Sequence, residues 1–278
     1  MSHERSVDEV VTNFLLNTCR LRPQLTEHAV KAARCCAVLA TNKPPVDDTE
    51  ANLIPLTTGS VAEFYIEPVL PLVGDVDVMF HWSTRLAIPR GHPPPTQLPA
   101  EFSNYVQVLE IVDSHLSGYV YLESRYILTE CIEDDKYACI EYDRGKCLLH
   151  GFDHFDDSDI HGPAIFLEYG SILPVDLVHC IRCLSWPPQA ADWPTRHRNY
   201  GWPDSATVDR VVYNGCDVVP VAHRQCRQHE WMSKRQWRLS FSRAEVVLLN
   251  SWMPVQQIVY HMLRVFMKTE LLLSLIHI

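Results

Sequence analysis

The rhythm of apolar and polar positions changes along this chain. Near the start, Val7, Val10, Val11, Phe14 and Leu15 recur at helical spacing behind Ser6 and Glu9, a capping-box pair, and predict a helix. A second helix is expected over residues 26–39, and the polar stretch 42–52, with Pro44-Pro45, reads as a linker. From residue 53 to about 128 the texture shifts to short apolar and aromatic runs, such as 105–112 and 119–128, which predict strands of an antiparallel or mixed sheet. An acidic, His-containing loop is expected at 153–161, a further strand at 172–180, then a Trp/Pro-rich segment with Trp186, Pro187, Pro188, Trp193, Trp202 and Pro203. After Trp237 the chain is expected to turn helical. Ser242 and Glu245 repeat the capping-box spacing, Pro254 suits a first helical turn, and Val255, Ile258, Val259, Met262, Leu263 and Phe266 mark one buried face.

Composition adds limits. The 278 residues are 47% hydrophobic and 21% charged, enough for a sizeable core and unlike a disordered tail. No run approaches 18 apolar residues and the N-terminus is polar, so the chain reads as cytoplasmic or nuclear, without signal peptide, membrane span or membrane partner. Ten irregularly spaced cysteines then read as reduced thiols. The net charge of −10 repels phosphate backbones, so nucleic-acid contact would need a local basic patch. The densest cationic group, Arg224, Arg227, Lys234, Arg235 and Arg238, reads either as that patch or as a solvated loop.

The chemistry concentrates in Asp75-Val-Asp77-Val-Met-Phe. On a strand, Asp75 and Asp77 share a face, while Val76 and Val78 are expected to point into the core. Neighbouring carboxylates repel unless a cation sits between them, and Mg²⁺ (with Mn²⁺ as a substitute) favours a few carboxylates plus phosphate oxygens. Upstream, Gly59 would let backbone N–H groups approach phosphate and Ser60 would add a hydroxyl donor. Asp176, isolated in an apolar strand, is either the third metal-holding carboxylate or a salt-bridged strand residue.

An ordered series of motifs resembles the nucleotidyltransferase core of cyclic GMP-AMP synthase and its Mab-21-like relatives. It comprises Gly59-Ser60-x-x-Glu63, Asp75-Val-Asp77, Val175-Asp176-Leu-Val, Trp186-Pro-Pro, Trp193, Arg196-x-Arg198, Gly201-Trp-Pro203, Trp237-Arg-Leu-Ser-Phe-Ser-Arg-Ala-Glu245 and Leu248-Leu-Asn250. The resemblance covers about residues 50–270. It implies an α/β (α+β) bilobed fold with N-terminal helices (1–50), a nucleotidyltransferase core (51–235) and the start of a helical C-terminal lobe (236–278). It further implies that Asp75, Asp77 and Asp176 are catalytic and hold Mg²⁺, and that Gly59 and Ser60 contact triphosphate. Arg238 and Ser240 would approach the nucleotide, with Glu245 nearby. ATP and/or GTP would be joined into a cyclic dinucleotide, with double-stranded RNA or DNA as activator.

Two departures from the family pattern stand out. Only Ser251-Trp-Met-Pro254 follows the Trp237 motif and its helix, leaving no room for a zinc thumb. Cys180-x-x-Cys183 would place its thiols on opposite faces of a strand, a poor zinc pair. The chain also stops before the helices that would carry a base-stacking tyrosine. Its last residues, 273–278, read as a translated sequencing adapter, so a C-terminal truncation is expected. The competing readings are a non-catalytic Mab-type interaction or developmental protein, favoured by the acidic charge, and an Asp-x-Asp glycosyltransferase, disfavoured by the helical N-terminus. The oligomeric state is not legible.

Overall fold

The computed structural model describes residues 6–14, 17, 53–62, 76–131, 136–141, 148–149, 160–161, 164–169, 173–223 and 235–267. Helix α1 (Val7–Asn13) opens where expected, with Glu9 N donating to the Ser6 hydroxyl at 3.2 Å. The expected helix at 26–39 and the linker at 42–52 lie outside the described residues. Strand β1 (Leu53–Thr58) leads through the short helix α2 (Gly59–Ala62) to β2 (Val76–Pro89). The two alternating runs read from the sequence become β3 (Tyr105–Asp113) and β4 (Tyr119–Cys131). Then come β5 (Lys136–Glu141), β6 (Ile160–His161), β7 (Ala164–Tyr169) and β8 (Leu173–Cys183). Helix α3 (Ser205–Asn214), β9 (Cys216–Val219), β10 (Trp237–Ser240), α4 (Ser242–Asn250) and α5 (Pro254–Phe266) complete the described order. The fold is mixed α and β, of the α+β kind expected for a nucleotidyltransferase. Among the described residues no helix is long and apolar enough to cross a membrane.

The strands form one sheet in the order β1-β2-β3-β4-β10-β9-β8-β7-β6, with β5 on β4. A further parallel pairing of β2 with β8 closes β2, β3, β4, β10, β9 and β8 into a ring. Alternation along each strand then sends every second side chain inward. Ala87, Leu109, Leu122, Ile181, Val218 and Trp237, one from each strand of the ring, meet in a single buried cluster. Strand β8 carries the apolar run of a strand covered on both faces, with Cys180, Ile181 and Cys183 all buried. A second cluster, including Leu86, Phe102, Val108 and Leu128, covers the outside of β2, β3 and β4.

Several local expectations are corrected. Asp77 was expected opposite the core-facing residues, but Met79 and His81, which share its face, are buried, while Val78 is only half-buried. The reason is that both faces of β2 are covered. The end of the expected 153–161 loop, Ile160–His161, pairs with β7 as β6, and Trp237 to Ser240 form β10 before any helix begins. Helix α4 has Phe241 at its N-cap without a side-chain hydrogen bond, so Ser242 and Glu245 make no capping box. Ser242 is instead the first helical residue, and its hydroxyl meets that of Ser240 at 3.2 Å. On α5, which does start at Pro254, three residues of the expected buried face are exposed. Val255, Val259 and Leu263 are 51–59% accessible, whereas Gln257 and His261 are buried. Gln257 faces inward because its amide donates to the Leu249 and Trp252 carbonyls, both at 3.2 Å, closing the α4–α5 corner.

The ring interior is where truncation should be felt most. Ile181→Ala removes a fully buried side chain from it and is expected to cost about 3 kcal/mol. Urea unfolding of the wild type and variant measures this, and a loss below about 1 kcal/mol would contradict a close-packed ring.

Candidate active site

Asp77 and Asp176 are brought together by backbone pairing. In the parallel β2–β8 ladder they are direct partners, one strand spacing of about 4.8 Å apart. Asp77 also faces Thr58 across the antiparallel β1–β2 ladder, and Asp176 faces Phe166 on β7. The chain turns sharply after Thr58. Gly59 has φ +63, and a Cβ built on it would land on the Asp77 carboxylate. Only glycine allows this approach, so the Gly59 backbone lies against Asp77. Ser60 follows as the second residue of α2. Asp75 lies outside the described residues, and among the described residues no group of three His, Cys, Asp or Glu side chains could by itself hold a metal ion.

Arg238 and Ser240 lie on the same outer sheet face. On β10, Trp237 and Leu239 point into the ring while Arg238 is exposed and Ser240 half-buried. Ser240 is the partner of Asp217 on β9, and Asp217 is the partner of Arg182 on β8. Arg182 is six residues beyond Asp176 on β8, roughly 20 Å along an extended strand. The β10 residues therefore share the face of the carboxylates without touching them. Glu245 is exposed in the first turn of α4. Of the basic group, Arg235 and Arg238 fall among the described residues, and Arg224, Arg227 and Lys234 outside them.

Between the two ends lies a buried ionic cluster that sequence reading missed. Asp217 is fully buried. Its Oδ2 accepts from Arg243 Nε at 2.8 Å, and its Oδ1 lies 4.0 Å from Arg182 Nη1. Arg182 Nη1 also donates to the carbonyls of Cys216 (2.9 Å) and Cys183 (3.2 Å), and Nη2 to that of Asn214. Burial opposes the Arg243 charge, and the Asp217 carboxylate more than offsets it. Burial also raises the Cys180 thiol well above its usual range, reinforced by Asp217, whose Oδ1 is 3.9 Å from the sulfur. Cys183 belongs to the ring interior opposite Cys216, whereas Cys180 packs with Met79 outside it.

His81 sits close to the same cluster. Burial holds its pKa down to about 4, helped by the charge of Arg243, against the opposite pull of Asp217. Below its ordinary value of 6.5, the unfolded chain binds a proton that folded His81 refuses. Stability from this group is therefore full above pH 6.5 and lost as pH falls toward 4, by on the order of 3 kcal/mol. Urea midpoints at pH 7.0 and 4.5 should converge in His81→Gln relative to wild type, and an unchanged difference would contradict this account.

A family model described as the Mab-21 protein nucleotidyltransferase domain matches residues 132–251. The match takes in Asp176, Asp217, β10 and α4, and leaves Gly59, Asp75 and Asp77 outside it. It supports a nucleotidyltransferase-type function. Over residues 132–251 the chain is similar to the Mab-21 nucleotidyltransferase domain.

Proposed function

We propose that this protein is a Mg²⁺-dependent nucleotidyltransferase that joins ATP and/or GTP into a cyclic dinucleotide, acting in the cytoplasm or nucleus as a receptor switched on by double-stranded RNA or DNA. The observation that carries the reading is the direct register of Asp77 with Asp176, beside a glycine whose backbone abuts Asp77. The donor set suits a hard cation: two carboxylates on adjacent strands, with Asp75 two residues upstream of Asp77. Mg²⁺ held there by Asp77, Asp176 and Asp75, or Mn²⁺ in its place, would neutralise triphosphate charge and activate the attacking hydroxyl.

The protein's own part is positioning, since phosphoryl transfer asks little covalent chemistry of it. Gly59, bare of a side chain, lets its backbone lie against the Asp77 carboxylate, where its N–H would meet phosphate held by the metal, and Ser60 is the next residue of the turn. Arg238 and Ser240 face the same side from β10, where they would hold the remainder of the nucleotide, with Glu245 on the following turn. The reaction forms a bond between a ribose hydroxyl oxygen and an α-phosphorus. It breaks the α–β P–O bond, and pyrophosphate leaves with its electron pair. A second such step within the linear product closes the ring.

The second reading, a non-catalytic Mab-type interaction protein, draws its support from the net charge of −10. It gives no reason for paired carboxylates in register. Chromatography of reactions containing ATP, GTP, Mg²⁺ and double-stranded RNA or DNA separates the two. Asp77→Asn and Asp176→Asn are each expected to lower product formation by at least roughly a hundredfold. Absence of any nucleotide product from the wild type under every activator would leave the non-catalytic reading standing.

A further inference from the structure

Helix α4 ties the two ends of the outer face to each other. At its start, Arg243 is held by the buried carboxylate of Asp217, the strand partner of Ser240. At its end, Asn250 Nδ2 donates to the Ala62 carbonyl at 3.1 Å, and Ala62 is the last residue of the α2 turn that begins with Gly59. The same amide also donates to Val246 O at 2.9 Å, which fixes its direction on the helix. The nine residues of α4 span about 13 Å.

We propose that α4 is a strut, and that Arg243 and Asn250 are positioning residues that set the distance between the phosphate end of the site (Gly59, Asp77, Asp176) and its nucleoside end (Arg238, Ser240). The inference rests on the nucleotide-binding reading above. A rigid helix fastened at both ends fixes where the Gly59 turn stands relative to β10, which strand pairing does not do directly, because β1 and β10 are not neighbours in the sheet. Asn250 is exposed, so its replacement opens no cavity. Arg243→Lys keeps the charge against Asp217 but loses the planar guanidinium that aims Nε at it.

The test uses the 278-residue chain and two probes with Mg²⁺: a fluorescent non-hydrolysable ATP analogue, which spans both ends, and inorganic tripolyphosphate, which engages the phosphate end only. A strut predicts that Asn250→Ala and Arg243→Lys each weaken the ATP analogue on the order of tenfold while leaving tripolyphosphate affinity unchanged. Asn250→Gln, which keeps the amide donor, should recover part of the loss. Equal weakening of both probes would mean a general structural defect and overturns the strut, as would unchanged affinity for both. A wild type that binds neither probe overturns the nucleotide reading itself, and the strut with it.

Discussion

The parallel pairing of β2 with β8 is the constraint on which the rest depends. Both strands sit inside the sheet, β2 beside β1 and β3, and β8 beside β7 and β9. Their pairing closes the ring, creates its apolar interior and sets Asp77 against Asp176 in one stroke. Register here is unforgiving, because a slip of one residue would turn Asp176 to the other face and send buried side chains outward. The buried Met79, Cys180 and Ile181 hold it. The apolar core of this ladder and the charged end of it are thus parts of one arrangement.

The second organising element is the buried charge at Asp217. A carboxylate taken fully out of water is costly, and it persists only with good partners. Arg243 supplies a direct hydrogen bond, and Arg182 supplies charge while satisfying carbonyls at the end of β8 and the start of β9. Removing one partner from such an arrangement typically costs about 3–5 kcal/mol, far more than an exposed ion pair. What the cluster provides is placement. It joins β8, β9 and α4, and through the ladder partner of Asp217 it locates Ser240 and the β10–α4 corner.

Much of this was legible in the chain. Alternation located β3 and β4, Ser6 and Glu9 located α1, and the Asp-x-Asp run announced a carboxylate strand edge. Asp176 could be singled out because it interrupts an apolar strand. By the same logic Asp217, in Cys-Asp-Val-Val, was equally visible, but its strand is only four residues long and its partners come from distant parts of the chain. Ring closure was hidden for the same reason, since long-range register leaves no local signature. Arg243 carries no local signal of its role either, because its partner Asp217 lies on a strand 26 residues earlier. The α5 face misled because periodicity shows that a face is apolar, not that something covers it, and the inward position went to Gln257 through its hydrogen bonds. Ser242 had the spacing of a cap, but the helix starts one residue earlier than that spacing requires, which makes Phe241 the cap and Ser242 the first helical residue.

The most direct test of the central claim is a crystal structure of the protein grown with Mn²⁺ and a non-hydrolysable ATP analogue, with anomalous differences locating the metal. The account predicts an anomalous peak within ligand distance of both Asp77 and Asp176, triphosphate against Gly59, and the nucleoside extending toward Arg238 and Ser240. A peak elsewhere, or nucleotide bound away from the β2–β8 edge, would contradict it.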